Sequence, residues 1–124
     1  MKLATKLFAA CLLCFAPYVA QSTEYISNDI AVVRVMNKAA GRARTLRIPV
    51  GQPTEFEKLE ILVRACKSTS PFAAQDSFMF AEIFKRASVG DNAPRIFSGW
   101  MIASEPGENP LQDPEYDLWL TECE

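Results

Sequence analysis

The sequence lacks histidine altogether and contains only 5 glycines in 124 residues. Histidine is the general base of Ser-His-Asp and Cys-His enzymes, a zinc ligand in the HExxH motif and the axial ligand of many haem irons. Those catalytic and metal-binding classes are therefore excluded. The scarcity of glycine excludes collagen-like and glycine-rich linker sequences.

Long apolar runs are also absent. The longest run, residues 7–20, has 14 residues and contains Pro17, whereas a membrane-spanning helix needs about 18 or more apolar residues. We therefore do not expect an integral membrane protein. With 49% apolar and 23% charged residues, the chain is nevertheless too apolar to be disordered, and its length fits a single domain.

The N-terminal residues have the order of a secretory signal peptide. Lys2 and Lys6 give a positive start, the apolar run follows, and polar residues begin at Gln21. Ala20 and Ser22 supply the small residues that signal peptidase needs at positions −3 and −1. The sequence therefore predicts cleavage after Ser22 and a periplasmic or secreted mature protein.

Residues 23–124 are predicted to form a single exported β domain once the signal peptide, residues 1–22, has been removed. This part keeps 11 basic and all 15 acidic residues, a formal charge of −4. It therefore lacks the dominant basic surface that nucleic-acid binding requires. Cleavage after Ala20, an uncleaved anchor and a lipid anchor on Cys11 are the alternatives for the N-terminal segment.

Cys66 and Cys123 are the two cysteines of the predicted mature chain. An even pair in an oxidising compartment predicts a disulfide. Strict alternation places both cysteines on the less apolar faces of their strands, Cys123 on the side of Trp119, so the bridge is expected on the outside of a sheet. A β-bulge would reverse this placement, and two unpaired buried thiols are the alternative to a bridge.

Short runs rich in Val, Ile, Phe, Trp and Thr alternate with turns that contain glycine and proline. There are six such runs, over residues 30–37, 42–50, 56–66, 77–86, 95–103 and 116–123. They predict a mainly β fold, a small antiparallel β-sandwich or barrel of about six strands. Ser70-Pro71 is also typical of a helix start, and the apolar residues of 72–88 fit a helical stripe. One short helix there is therefore the alternative.

Several segments of the chain are distinctive. They are Val33-Arg34-Val35-Met36-Asn37-Lys38, Thr45-Leu46-Arg47-Ile48-Pro49-Val50-Gly51, Val63-Arg64-Ala65-Cys66, Phe97-Ser98-Gly99-Trp100-Met101 and Pro114-Glu115-Tyr116-Asp117-Leu118-Trp119. Through them the chain resembles an exported bacterial family, domain of unknown function number 2155, over nearly all of residues 23–124. The resemblance implies a strand over residues 78–84 and implies no activity. Where the family pattern has Glu-His-Pro, this chain has Gln112-Asp113-Pro114.

The candidate binding surface consists of Trp100, Tyr116, Asp117 and Trp119. Aromatic rings stack on sugar faces and carboxylates hold sugar hydroxyls, so these residues are candidates for binding a glycan or a peptide. The alternative is a structural role, with a core tryptophan and a tyrosine hydroxyl bonded to the backbone. We expect the structural role to dominate, with Trp100 in the core because its neighbours are apolar, and Trp119 at the surface.

Neither a metal, a cofactor nor an enzymatic activity is predicted. Asp113, Glu115 and Asp117 alternate and carry the oxygen ligands that Ca²⁺ prefers, but no glycine turn of a calcium loop accompanies them and Pro114 stiffens the segment. A glycosidase would need two carboxylates about 5–10 Å apart, and the sequence does not single out a pair.

Arg42, Arg44 and Arg47 form the one basic cluster of the predicted domain. They are candidates for docking an anionic partner or a lipid head group. The alternative is a charged edge strand that discourages aggregation between sheets.

The sequence favours a non-catalytic interaction or accessory module of the cell envelope, whose partner is an envelope protein or a glycan. The alternative function is a carbohydrate- or peptidoglycan-binding module that uses exposed aromatic residues. Nucleic acid is not an expected partner.

Overall fold

The structure is a computed structural model that describes residues 15–19, 24–88 and 92–124. The positive start of the predicted signal peptide and both candidate cleavage sites lie outside the described residues. Residues 15–19 form neither helix nor strand, and the side chains of Phe15 and Tyr18 are exposed. In the described parts of the chain, no helix has the length and apolar character that a membrane crossing needs.

The described residues fold into eight β-strands and no helix. The strands are β1 (Tyr25–Asn28), β2 (Ile30–Asn37), β3 (Arg42–Pro49), β4 (Thr54–Phe56), β5 (Leu59–Thr69), β6 (Ser77–Lys85), β7 (Arg95–Ile102) and β8 (Tyr116–Cys123). The predicted mainly β fold is confirmed, and each of the six predicted runs contains a strand, although the run 56–66 also includes the end of β4 and the turn before β5. The alternative of a helix within residues 72–88 is wrong, because β6 occupies most of that segment.

The strands form two antiparallel sheets that pack face to face. The five-stranded sheet has the order β1-β5-β6-β7, with β4 paired to the other end of β5 on the same side as β1. The three-stranded sheet has the order β3-β2-β8. The fold is therefore the predicted sandwich and not a closed barrel.

The core lies between the two sheets and follows from alternation along the strands. Side chains at every second position point inward, where apolar residues lose contact with water. The five-stranded sheet contributes Leu59, Ile61, Val63, Met79, Ala81 and Ile83. The three-stranded sheet contributes Ala31, Val33, Val35, Ile48, Leu118 and Leu120.

A disulfide joins Cys66 in β5 to Cys123 in β8, with a Cα–Cα distance of 5.6 Å. It therefore links the two sheets. Cys66 is only 2% exposed, so the expectation of a bridge on the outside of a sheet is wrong. The reason is a β-bulge in each strand: Arg64 in β5 and Thr121 in β8 have no partner in the register, and each extra residue turns the following cysteine inward.

Candidate interaction surface

Four aromatic side chains share the outer surface of the five-stranded sheet. They are Tyr25, Phe78, Phe80 and Trp100, which we call the aromatic face. The sequence of β6 explains its position, because Met79 and Ala81 are buried in the core and the alternate residues must point outward. Trp100 of β7 is the register partner of Phe80, which brings their side chains together.

The rings of the aromatic face pack edge to face. Tyr25 and Phe78 have ring centroids 5.5 Å apart at 83°, and Phe80 and Trp100 have centroids 5.5 Å apart at 71°. Tyr25 is nevertheless 50% exposed and Trp100 45% exposed. A shallow groove of about 250 Å³ lies between them, lined by Tyr25, Lys67, Phe78 and Trp100. Contiguous exposed apolar surface often marks a binding site, whereas single scattered apolar residues do not.

Trp100 does not belong to the core, and our expectation of a core tryptophan is wrong. Phe97 and Met101 pack against the core, so the intervening Trp100 points to solvent. Apolar neighbours in the sequence lie on the opposite face of a strand, and they therefore do not indicate that Trp100 is buried.

The glycine before Trp100 makes room for the side chain of Asn109. A Cβ atom at Gly99 would lie 2.8 Å from Asn109 Nδ2, closer than real contacts allow. Asn109 Nδ2 donates a 2.9 Å hydrogen bond to the carbonyl oxygen of Trp100. The turn that contains Asn109 thus lies against the outer edge of β7 and holds the backbone that carries Trp100.

The structure separates the four residues of the predicted binding surface. Trp119 and Asp117 lie on the outer side of the three-stranded sheet, opposite Arg34 and Met36 of β2. Trp119 is partly buried, and Asp117 forms an ion pair with Lys38 at 3.4 Å. Trp100 lies on the other sheet, and Tyr116 lies in the core.

Tyr116 is fully buried, as its structural interpretation anticipates, and its hydroxyl binds the side chain of Glu57 as well as the backbone of Lys58. The hydroxyl donates a 2.9 Å hydrogen bond to Glu57 Oε2, which also accepts a 2.8 Å bond from Asn37 Nδ2. The ring packs edge-on against Phe56 with centroids 6.2 Å apart. Burial, reinforced by the hydrogen bond to Glu57, raises the pKa of Tyr116 to about 12.

The residues before Tyr116 form a charge network with two lysines. Lys85 Nζ lies 3.0 Å from Asp113 Oδ2 and 3.2 Å from Glu115 Oε2, and Lys58 Nζ lies 3.0 Å from Glu115 Oε1. Asp113 Oδ2 also accepts hydrogen bonds from the backbone N–H groups of Glu115 and Tyr116, each 2.9 Å long. This network fastens the segment before β8 to the end of β6.

The network fixes the protonation states of its members. Burial alone would lower the pKa of Lys85, but the hydrogen bonds that it donates to Asp113 and Glu115 outweigh burial and raise that pKa. Burial would likewise raise the pKa of Asp113, but the bonds from Lys85 and two backbone N–H groups hold it below its usual range. Hydrogen bonds from Lys58 and Lys85 lower the pKa of Glu115. In the described residues, no cluster of three potential ligands among His, Cys, Asp and Glu is arranged to hold a metal.

A polar cleft of about 440 Å³ opens at the end of the sandwich where Cys123 lies. Its central carboxylate, Asp76, accepts bonds from Ser77 N at 2.8 Å, Ser104 N at 3.0 Å and Ser104 Oγ at 2.5 Å. Burial disfavours ionisation of Asp76, but these bonds outweigh it and lower the pKa of the carboxyl. The carboxylate is thus already occupied in holding the turn after β7 to the start of β6.

The sequence of β6 contains a signal for the aromatic face that the predicted binding surface does not include. In β6, residues 78, 80 and 84 are phenylalanines, and the residues between them include Met79, Ala81 and Ile83. A strand that is apolar on both faces needs a second apolar environment besides the core. In this structure nothing described covers the outer side of β6, so its phenylalanine side chains meet solvent or each other's aromatic neighbours.

Residues 31–123 match the sequence profile of a family described as an uncharacterised protein conserved in bacteria, DUF2155. The match runs from β2 to the last residue of β8 and includes the aromatic face except Tyr25. No curated protein and no solved structure matches the chain.

Proposed function

The chain belongs to this uncharacterised bacterial family, and from that premise we propose that it is an exported, non-catalytic interaction module of the cell envelope. Its binding site is the aromatic face, and its partner is another envelope protein. The observation that carries the proposal is the exposure of Trp100 and Tyr25 beside a groove on the outer side of the five-stranded sheet.

The composition of the groove supports a protein partner. Of its four lining residues only Lys67 is charged, whereas Tyr25, Phe78 and Trp100 are aromatic. Partly exposed tryptophan and tyrosine side chains next to apolar grooves are the residues that dominate the affinity of protein interfaces. A partner's aliphatic or aromatic side chain would fill the groove, with Lys67 at its rim.

The state of Asp113 and Glu115 supports a non-catalytic role for this pair. A general acid needs a raised carboxyl pKa near the working pH. Asp113 and Glu115 instead have lowered pKa values because Lys85 and Lys58 bind them. They are therefore ionised and held in place, which fits a structural function.

Two observations support export. The disulfide between Cys66 and Cys123 is of the kind that persists in oxidising compartments. The apolar side chains of Phe15, Tyr18 and Val19 do not pack against the domain, which fits a leader that can be removed without damage to the fold. The N-terminal mass of the protein recovered from the periplasm tests this part, and a mature chain beginning at residue 23 is expected. Recovery of the intact N-terminus in the membrane fraction would contradict it.

Two tryptophans on opposite sides of the sandwich allow a controlled test of the aromatic face. Wild type, Trp100→Ser and Trp119→Ser are immobilised and exposed to envelope extract, and a captured protein is identified, purified and titrated. Loss of an interface tryptophan typically costs about 2 kcal/mol or more, roughly a thirtyfold loss of affinity. We expect that loss for Trp100→Ser and not for Trp119→Ser. Equal affinity of all three proteins would contradict the proposal.

The alternative function, glycan binding, rests on the exposed ring of Trp100. Against it, the near-perpendicular ring pairs do not offer coplanar platforms for successive sugars, and few polar groups near the groove can hold hydroxyls. Sedimentation with purified peptidoglycan sacculi separates the two functions. If wild type and Trp119→Ser sediment with sacculi and Trp100→Ser stays in solution, the aromatic face binds glycan.

A further inference from the structure

Strand β3 has a described neighbour on one side only. It spans Arg42–Pro49 and pairs with β2 along its whole length, whereas no described strand pairs with its other side. All of its residues are exposed except Leu46 and Ile48. Its free side is therefore an accessible row of backbone donors and acceptors, the element that strand addition uses.

The remaining sheet edges are shorter or occupied. β1 and β4 have only 4 and 3 residues. At β7, Asn109 already binds the carbonyl oxygen of Trp100. At β8, the N–H of Cys123 donates to Ser77 Oγ of β6 at 3.1 Å. Among the described strands, β3 thus offers the longest free edge.

The hydrogen-bond pattern shows which backbone groups of β3 are free. The N–H of Lys38 donates to the carbonyl of Glu115 on the β8 side of β2. Because backbone groups alternate in direction along a strand, those of the preceding residue, Asn37, point to β3 and meet its register partner Arg42. By the same alternation every second residue after Arg42 points its N–H to the free side. These residues are Ala43, Thr45 and Arg47.

The free edge carries uncompensated positive charge at one end. Arg47 is paired with Glu124, but Arg42 and Arg44 form no ion pair with any described residue. Both lie on the same side of the strand as Leu46 and Ile48, with the arginines at one end and the apolar residues at the other. A partner strand would therefore meet two positive charges at one end of the edge and two apolar side chains at the other.

We propose that β3 is a docking edge that binds an acidic extended segment of a partner protein by antiparallel strand addition. The segment has two apolar residues, two positions apart, opposite Ile48 and Leu46. Two acidic residues follow at the same spacing, opposite Arg44 and Arg42. Its backbone bonds to the free groups of Ala43, Thr45 and Arg47, its apolar side chains extend the edge of the core, and its carboxylates pair with the free guanidinium groups. This edge is separate from the aromatic face, so either proposal can fail alone.

A second copy of this chain is the less suitable occupant. Two β3 strands paired across a twofold axis would bring Arg42 and Arg44 of both copies onto one face of the ladder, and β3 contains no carboxylate to pair with them. An acidic segment neutralises this charge instead.

The test uses the purified full chain and two fluorescent nonapeptides, TVTVTETET and its lysine counterpart TVTVTKTKT. Anisotropy titrations are expected to show binding of the acidic peptide only. Arg42→Glu combined with Arg44→Glu should weaken binding about tenfold or more, because two attractive cross-strand pairs become repulsive. Arg95→Glu, an exposed arginine at the start of β7, is the matched charge control and should leave the affinity unchanged.

A backbone substitution tests strand addition itself. Thr45→Pro removes a free N–H without removing a backbone bond to β2, and should abolish binding. Thr45→Val loses the same side-chain bond from Arg34 but keeps the N–H, and should bind like wild type. In amide hydrogen exchange, the peptide should protect Ala43, Thr45 and Arg47. Equal binding of the lysine peptide, binding that survives Thr45→Pro, or capture of anionic phospholipid vesicles without capture of the peptide would each overturn the proposal. Self-association that Thr45→Pro abolishes would assign the edge to a second copy and overturn the proposal too.

Discussion

The hydroxyl of Tyr116 donates a 2.9 Å hydrogen bond to Glu57 Oε2 and so connects the first residue of β8 to the turn between β4 and β5. Glu57 has a φ of 50°, the left-handed region that residues with a Cβ atom rarely adopt. The bonds from Tyr116 and Asn37 to its carboxylate hold it there. Tyr116 is thus part of a link between the two sheets.

Tyr116→Phe should destabilise the domain by about 1 kcal/mol or more, because the hydroxyl's hydrogen bonds to Glu57 and the Lys58 backbone are lost while the ring remains. The expected measurement is a urea unfolding curve near neutral pH. Tyr25→Phe, which removes an exposed hydroxyl, is the matched control and should unfold like wild type. Equal stability of Tyr116→Phe and wild type would show that the bond to Glu57 contributes nothing.

The alkaline stability of wild type should also depend on Tyr116. Its pKa rises from 10.0 in the exposed state to about 12 in the folded state, so the folded state holds the proton more tightly. The resulting stabilisation is complete below the exposed value and is lost as the pH rises through the folded value. Lys85, whose Nζ lies 5.3 Å from the ring centroid, also has a raised pKa and adds to this loss. The stability of Tyr116→Phe should therefore fall less steeply with rising alkaline pH than that of wild type. It should still fall, because Lys85 remains.

Lys85→Met should cost about 2 kcal/mol, because it leaves the nearly buried Asp113 carboxylate without its cation. The pair of Arg64 with Glu82, at 3.4 Å with a half-exposed guanidinium group, is the comparison. Arg64→Met should cost less than about 0.5 kcal/mol. Unfolding curves of the two variants that coincide would contradict the structural importance of the network.

Acid unfolding gives an independent measurement of the same network. The lowered pKa values of Asp113 and Glu115 mean that their stabilisation is present above the ordinary carboxyl range and is lost as the pH falls through the folded values. In Lys85→Met the cation that lowers them is missing. The stability of this variant should therefore depend less steeply on acidic pH than that of wild type.

Removal of the disulfide should cost about 4 kcal/mol, since it closes a loop with a sequence separation of 57. This is a large share of the roughly 5–15 kcal/mol that stabilises a typical domain. The double variant Cys66→Ala with Cys123→Ala avoids free thiols, and its urea midpoint should match that of reduced wild type. A wild-type midpoint that does not change with reductant would contradict the prediction.

Gly99→Ala should cost about 1 kcal/mol because its Cβ displaces the Asn109 side chain from the Trp100 carbonyl. Gly107→Ala, where a Cβ atom meets nothing within 4 Å, is the control. In an Asn109→Ala background the obstacle is gone, so Gly99→Ala should there be neutral or stabilising. Equal effects in both backgrounds would show that Gly99 serves another purpose.

The sequence was sufficient to predict the sandwich because six strands carry a clear pattern of apolar content between turns. β1 and β4 were missed because 4 and 3 residues are too few to establish a period of two. The disulfide partners followed from the cysteine count, but the side on which the bridge lies depended on Arg64 and Thr121, and no residue type marks such bulges.

The candidate site was harder to predict than the fold. The prediction that Trp100 is buried is wrong because its apolar neighbours in the sequence lie on the opposite face of β7. The role of Asp113 was not visible at all, since its partner Lys85 lies 28 residues away in the sequence. Pairings of this kind depend on which strand ends meet, and this becomes known only with the sheet order.

The pairing of β2 with β8 has a consequence for the order of folding. The three-stranded sheet joins the first long strand to the last, so the region of Val33 and Val35 remains without one neighbour until the C-terminal residues have arrived. Such a topology has a high contact order, and folding is correspondingly slow. Because synthesis proceeds from the N-terminus, the chain would wait with an incomplete sandwich until β8 follows. A chaperone that shields β2 during this interval would speed folding more than one that acts on β8.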